Sequence, residues 1–406
     1  MNNNYHRQTI TIAFAIFIAT LFIYLFSALA SGQSYTPIDA HFNTLAKALL
    51  HGHIAIENPI STHDLTFYNG RWYVPFPPLP ALLMLPFIAV LGDINTVLFS
   101  VVVGAINTTC VFLLIQSLIH KGWTQIQLID SLWLTALFGF GTVHWQVATV
   151  GSVWFLSQIC TVTFSILCIW AALAQRSPVL SGSALALALW ARPHIILLAV
   201  VILGIGLQIA QEKEQKQRTR FLFQWVLHAG IPIVVSILLF LTYNYIRFEH
   251  IFDIGYQSQS VAAPLKEDLQ RYGQFNIHFT PKNVWVMLFA PPIWNSESHI
   301  LLPDPVGMSL FLTSPALIYL FFPQKRTPLV IASWISLGLL LIPLLTYYNT
   351  GWYQFGYRFS LDFTILVIIM LAHLKSENIP IFLRIGILLS ISINAWGAIF
   401  IGQPQF

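Results

Sequence analysis

Asp39 stands just past an apolar run long enough to cross a membrane, and His41 follows it as D-x-H. A carboxylate at a lipid surface can take the proton of an attacking hydroxyl, or help a neighbouring imidazole hold a divalent cation. Capping of a helix and solvation of a loop would explain the same pair without chemistry. The loop 31–76 goes on to carry His51, His53, Glu57, His63, Asp64 and Arg71. No zinc-type spacing joins them, so each histidine reads first as structural and the divalent metal remains an option only.

Two arginines are the sharper candidates from within the apolar segments. Arg192 interrupts ALALWARPHIILL, and an ionisable group at such depth usually faces a cavity or a partner. Its guanidinium could grip a phosphate through paired hydrogen bonds, or it could snorkel from a short interfacial turn. Arg358 closes NTGWYQFGYR, where Gly351 and Gly356 permit close backbone approach. Trp352, Tyr353 and Tyr357 in the same stretch could stack on a sugar ring or simply form an interfacial aromatic belt.

The elements that must position these residues are membrane helices. Apolar segments fall near 8–30, 77–92, 95–118, 127–144, 150–174, 179–191, 193–210, 222–247, 306–322, 328–347, 357–374 and 380–401. The first holds no charged residue and, at ~1.5 Å per residue, spans a ~30 Å hydrocarbon core. Its end, FSALASGQ, resembles a signal-peptidase site, but the stretch exceeds the usual apolar length of such signals, so an uncleaved helix is expected. Two polar stretches stand out, 31–76 and 248–305, and both are expected outside as larger loops of a single integral domain, 1–406. The basic clusters at 213–220 and at Lys325-Arg326 belong in the cytoplasm by the positive-inside rule.

With every segment spanning, that rule is violated at 211–220, so one segment must be half-buried or merged. Segment 77–92, with Pro77, Pro78, Pro80 and Pro86, is one candidate, and the pair interrupted at Arg192-Pro193 is the other. Eleven to thirteen helices are expected. Within the first loop, Ile38, Phe42, Leu45 and Leu49 share one helical face, predicting a juxtamembrane helix that starts near Pro37, with Asp39 in its first turn. Trp72, Tyr73 and Phe76 read as interfacial anchors.

Composition agrees with this class. The chain of 406 residues is 56% hydrophobic and 8% charged, far from the quarter or so of a soluble domain, so it is read as an all-α polytopic protein whose partner is the lipid bilayer. A formal charge of +4 without a basic, aromatic-interleaved patch gives no sign of nucleic-acid binding. Cys110, Cys160 and Cys168 lie in apolar runs and read as small hydrophobes.

Taken in order, five elements resemble the GT-C fold glycosyltransferases, the class of protein O-mannosyltransferases and the lipid A aminoarabinose transferase. They are PIDAHFNTLAKALLHG, FYNGRWYVPFPPLPALLMLPF, the WARP element, NYIRFEHIFDIGYQ and GWYQFGYRFSLDF. The resemblance implies a polyprenyl-phosphate-linked sugar donor, a lipid, glycan or protein acceptor outside the cell, and inverting transfer without a covalent intermediate. It implies Asp39 as general base and a multi-pass protein of the plasma (inner) membrane. It also suggests His41, Arg71, Tyr73, His144, Arg192, Trp352, Tyr357 and Arg358 as substrate contacts, with Arg192 and Arg358 on the leaving phosphate.

The chain departs from the pattern in one place. Where many members carry a second acidic residue, FGTVHWQVATVGSVWF has none, leaving His144 and Gln146 as the polar substitutes. A lipid or sugar transporter, or a non-catalytic scaffold of the same fold, are the competing readings. Coupled transport would call for acidic residues deep in the bundle, whereas Asp93, Asp130 and Asp362 read as lying near span ends.

Overall fold

In lipid, a backbone must satisfy its own polar groups, and this chain does so almost wholly through helices. The computed structural model describes residues 3–33, 35–256, 258–351, 353–376 and 378–400. The first half holds α1 (Asn3–Ala30), α2 (His41–Leu50), α3 (Leu79–Leu91), α4 (Thr96–His120), α5 (Leu128–Phe140), α6 (His144–Ala148), α7 (Val153–Leu173) and α8 (Pro178–Leu189). The second half holds α9 (Ala199–Gln211), α10 (Gln215–Phe248), α11 (Ala263–Tyr272), α12 (Thr280–Leu288), α13 (Leu310–Thr313), α14 (Pro328–Thr346), α15 (Leu361–Ala372) and α16 (Ile381–Phe400). Two small antiparallel hairpins, Thr66–Tyr68 with Arg71–Tyr73 and Ile293–Asn295 with Ile300–Leu302, decorate the two large loops.

Among the described residues, seven helical stretches are long and apolar enough to cross a membrane: α1, α4, α7, Pro193–Gln211, α10, α14 and α16. Shorter helices, among them α5, α8 and α15, pack between these. The short ones survive because they are packed inside: all twelve residues of α15 are buried.

Hydrogen bonds fix which connections share an end. At one end lie Arg176 with Glu212 (2.7 Å), Arg384 with Asp130 (3.2 Å) and the Lys325 N–H on the His373 carbonyl (2.8 Å). Both basic clusters belong to that end. At the other end the loops 31–76 and 248–305 interlock. Asp64 N–H donates to Ser260 O (2.7 Å), Ser260 N–H to Leu65 O (2.9 Å), and Thr66 bridges Gln259. Residues 346–348 join them through Asn276 N–H to Thr346 O and Tyr348 N–H to Gln274 O.

Helix α3 begins and ends at this loop-rich end. Leu79 N–H donates to Trp190 O (2.9 Å), while Asp93, just past the helix, is held by Lys47 (2.7 Å) and by the Asn43 amide. Its start meets the turn after α8 and its end meets α2, both at this end of the molecule, so the chain turns back into α4. That is the non-crossing segment the charge pattern demanded, and with it the basic clusters fall on the end where α1 begins.

Helix α2 starts at His41, later than the face pattern suggested. Asp39 precedes it in a turn, its carbonyl taken by Val153 N–H (3.2 Å), and Ile38 is 74% exposed. Phe42, Leu45 and Ala46 are fully buried, so the rest of the apolar face packs as the sequence indicates.

Candidate active site

The loop-rich end encloses a cavity of about 440 Å³. One wall is built by the bundle. Arg192 follows α8 in extended backbone, as a residue before proline must, and Pro193 then starts a 3₁₀ turn. Its guanidinium meets the Asp362 carboxylate at 3.0 Å, and His194 Nε2 lies 2.7 Å from the same oxygen. Gln158 Nε2 donates to the other Asp362 oxygen (3.3 Å) and to the Arg358 carbonyl (2.8 Å). Asp362, one turn on from Arg358, is 1% exposed.

Arg358 occupies the same wall. Its Nε donates to Gly351 O (2.9 Å), and its own N–H to the Gln354 amide oxygen (2.9 Å). Gly351, at φ 110°, holds a backbone that side-chain-bearing residues rarely adopt, and this turn aims its carbonyl at the guanidinium. The Phe359 ring lies 5.2 Å from the Arg192 guanidinium and 4.7 Å from that of Arg358. Among the described residues Arg358 makes no close ion pair, so the bundle wall sets two guanidiniums against the one carboxylate of Asp362, with Asp64 as the carboxylate across the cavity. A buried cation is costly without an anion, which makes the place a receptor for one.

Loops build the opposing wall. Asp64, in the left-handed region at φ 59°, accepts hydrogen bonds from Trp154 Nε1 (2.8 Å) and Gln259 Nε2 (2.9 Å). His63 Nε2 lies 3.5 Å from its carboxylate. Burial pushes the Asp64 carboxyl above the usual range, while the charge of His63 and the Trp154 hydrogen bond pull it back. Asp39 stands just beyond His63 and is half-buried. Burial pushes its carboxyl up to about 6, opposed by a hydrogen bond with its own backbone and by His63, and reinforced by Asp64. His41 anchors this corner through its Nε2, 2.7 Å from the His63 carbonyl. Tyr256, Phe275, Tyr347, Tyr348 and Tyr353 line the cavity, and Phe76, Pro77, Leu265, Pro343 and Leu344 add apolar surface to its lining.

Of the residues singled out in the sequence, Arg192 and Arg358 line the cavity together. Asp39 and His41 support its loop wall without lining it. Arg71 is exposed on its hairpin, Tyr73 packs on Phe248, and Tyr357 is buried with its hydroxyl 3.4 Å from Leu344 O. His144 lies inside the bundle, 3.0 Å from the Tyr24 hydroxyl and 3.4 Å from the Asn107 amide, so it and the buried Gln146 take no part in the cavity wall. Trp352 lies outside the described residues. Asp130 and Asp362 are more deeply buried than the sequence suggested, and each has an arginine partner.

Trp154, Gln259, His194 and the wall-building role of Asp362 were not found in the sequence. Only Asp362 left a signal there, its position four residues after Arg358 on one helical face. Among the described residues no group of three His, Cys, Asp or Glu side chains converges as a metal site.

No protein-family model matches this chain, and no curated protein matches it either. Among solved structures, it is similar to the crystal structure of ArnT from Cupriavidus metallidurans bound to undecaprenyl phosphate. The TM-score is 0.50 at 12% identity, covering 99% of this chain and 76% of that one. At that identity the likeness concerns the fold: the chain is a polytopic membrane protein with the GT-C fold.

Proposed function

We propose that this protein is a membrane glycosyltransferase that moves a sugar from a polyprenyl-phosphate donor to a hydroxyl of a lipid, glycan or protein acceptor. The observation that carries the reading is the pair Arg192 and Arg358, two guanidiniums around one phenylalanine ring in the wall of a membrane-protein cavity. A phosphate there gives Arg358 the close anion that it lacks, and the apolar residues of the cavity lining suit the first isoprene units. The undecaprenyl phosphate bound to ArnT, a protein of the same fold, supports the same donor class.

Asp39 is the base in this reading. A carboxyl held near 6 is ionised at neutral pH yet more basic than a solvated one. The acceptor reaches the cavity past the half-exposed His63 and gives its proton to Asp39. Its oxygen bonds to the anomeric carbon as the bond from that carbon to the phosphate oxygen breaks. The electron pair leaves on the polyprenyl phosphate, held by Arg192 and Arg358, and a single displacement inverts the centre. The basic clusters at the opposite end support an extracytoplasmic site in the plasma membrane for this chemistry.

Binding of polyprenyl phosphate to the purified protein tests the donor end. Arg192→Ala and Arg358→Ala are each expected to weaken it by about tenfold or more, the worth of a charge-assisted hydrogen bond. Unchanged affinity in both variants would remove the phosphate site.

A further inference from the structure

Asp64 is fixed more firmly than a loop carboxylate needs to be. Each of its oxygens accepts one N–H, from Trp154 and from Gln259, and His63 Nε2 lies 3.5 Å from the oxygen that Trp154 holds, so the oxygen bonded to Gln259 keeps a lone pair free. Its backbone is tied as well, with its N–H on Ser260 O and its carbonyl 3.5 Å from the Gln259 amide nitrogen. Gln259 is 8% exposed, and its amide oxygen is buried without a partner. A buried acceptor of that kind costs free energy unless something donates to it. Asp64, Gln259 and Trp154 all line the cavity, and no ion pair or hydrogen bond of the mechanism above employs them.

We infer that Asp64 and Gln259, beside Trp154, form a sugar-hydroxyl subsite that holds the transferred sugar while Arg192 and Arg358 hold its phosphate. The chemistry is complementary: the Asp64 oxygen with a free lone pair accepts one sugar hydroxyl, and the Gln259 oxygen accepts a neighbouring one. Arg358 and Asp64 line the same cavity, so a sugar ring attached to a phosphate at Arg358 faces the subsite. The two polar anchors then fix the anomeric carbon between them, and the ring's hydroxyl pattern becomes the basis of donor choice. The second loop's part in the enzyme is to deliver Gln259 to this point through its bridge to Thr66.

The subsite rests on the donor reading, and one paired titration separates the two. The affinity of full-length protein in nanodiscs is measured for a polyprenyl phosphate and for the same lipid carrying a hexose, with wild type, Asp64→Asn and Gln259→Ala. The expected result is a sugar-bearing lipid bound about tenfold or more tighter than the bare phosphate by wild type, with the advantage lost in both variants. Affinity for the bare phosphate should stay within about twofold, which also reports that the variants are folded. An advantage that survives in both variants, or none in wild type, would overturn the subsite and leave the phosphate site standing. Failure of wild type to bind either lipid would remove the donor reading and the subsite together.

Discussion

The two walls of the cavity are made differently. The cationic wall is part of the bundle: Arg192, Arg358 and Asp362 come from segments that traverse the membrane, and the carboxylate of Asp362 is bonded by three separate side chains. The other wall is loop. Asp39, His63 and Asp64 come from the first connection, and Gln259 reaches them from a second connection far away in sequence. A wall of helices suits the part of a donor that never changes, its phosphate. A wall of loops suits the parts that differ between enzymes, the sugar and the acceptor, because loops vary without disturbing the core.

If the walls differ in this way, damage to them should differ too. Asp362→Ala leaves Arg192 beside a buried, uncompensated cluster and should cost about 3–5 kcal/mol, read as a lowered midpoint of unfolding. Asp64→Asn weakens two hydrogen bonds, one to Trp154 of α7 and one to Gln259 of the second loop, without stranding a buried charge, and should cost about 1–2 kcal/mol by the same measurement. Equal losses would erase the distinction between a structural wall and a functional one.

The pH profile sharpens the comparison on the loop side. The base works only when ionised, so transfer should be flat above about 6 and fall about tenfold per pH unit below it, as Asp39 is protonated. Binding of the sugar-bearing lipid, a phosphodiester whose charge is constant in this range, should not share that break. His144→Ala should lower stability, because it unmakes the Tyr24 and Asn107 contacts, while leaving lipid affinity unchanged. Arg71→Ala, on an exposed hairpin, should alter neither beyond about 0.5 kcal/mol.

The bundle wall was also the more legible one in the sequence. An arginine inside an apolar stretch is conspicuous because lipid makes it expensive, and both Arg192 and Arg358 line the cavity. The prolines of 77–92 and the misplaced charge of 211–220 pointed to the segment that does not cross. The loop wall was obscure for a physical reason. Gln259 and Asp64 meet through a bridge between two connections, and nothing in either stretch encodes its partner. Asp39 was visible by its position after the first span, but its start of a helix was misjudged: Val153 N–H claims its carbonyl and helix α2 begins later. His144 drew notice as a polar residue in an apolar stretch, yet its polarity serves a hydrogen-bond network inside the bundle.

The most direct test is sugar transfer by the purified protein from a panel of radiolabelled polyprenyl-phosphate sugars, with wild type beside Asp39→Asn. The near-isosteric change keeps the fold and removes the base. Transfer by wild type that falls by about a hundredfold or more in the variant is the expected result. Equal turnover by the two proteins would contradict it and take Asp39 out of the chemistry.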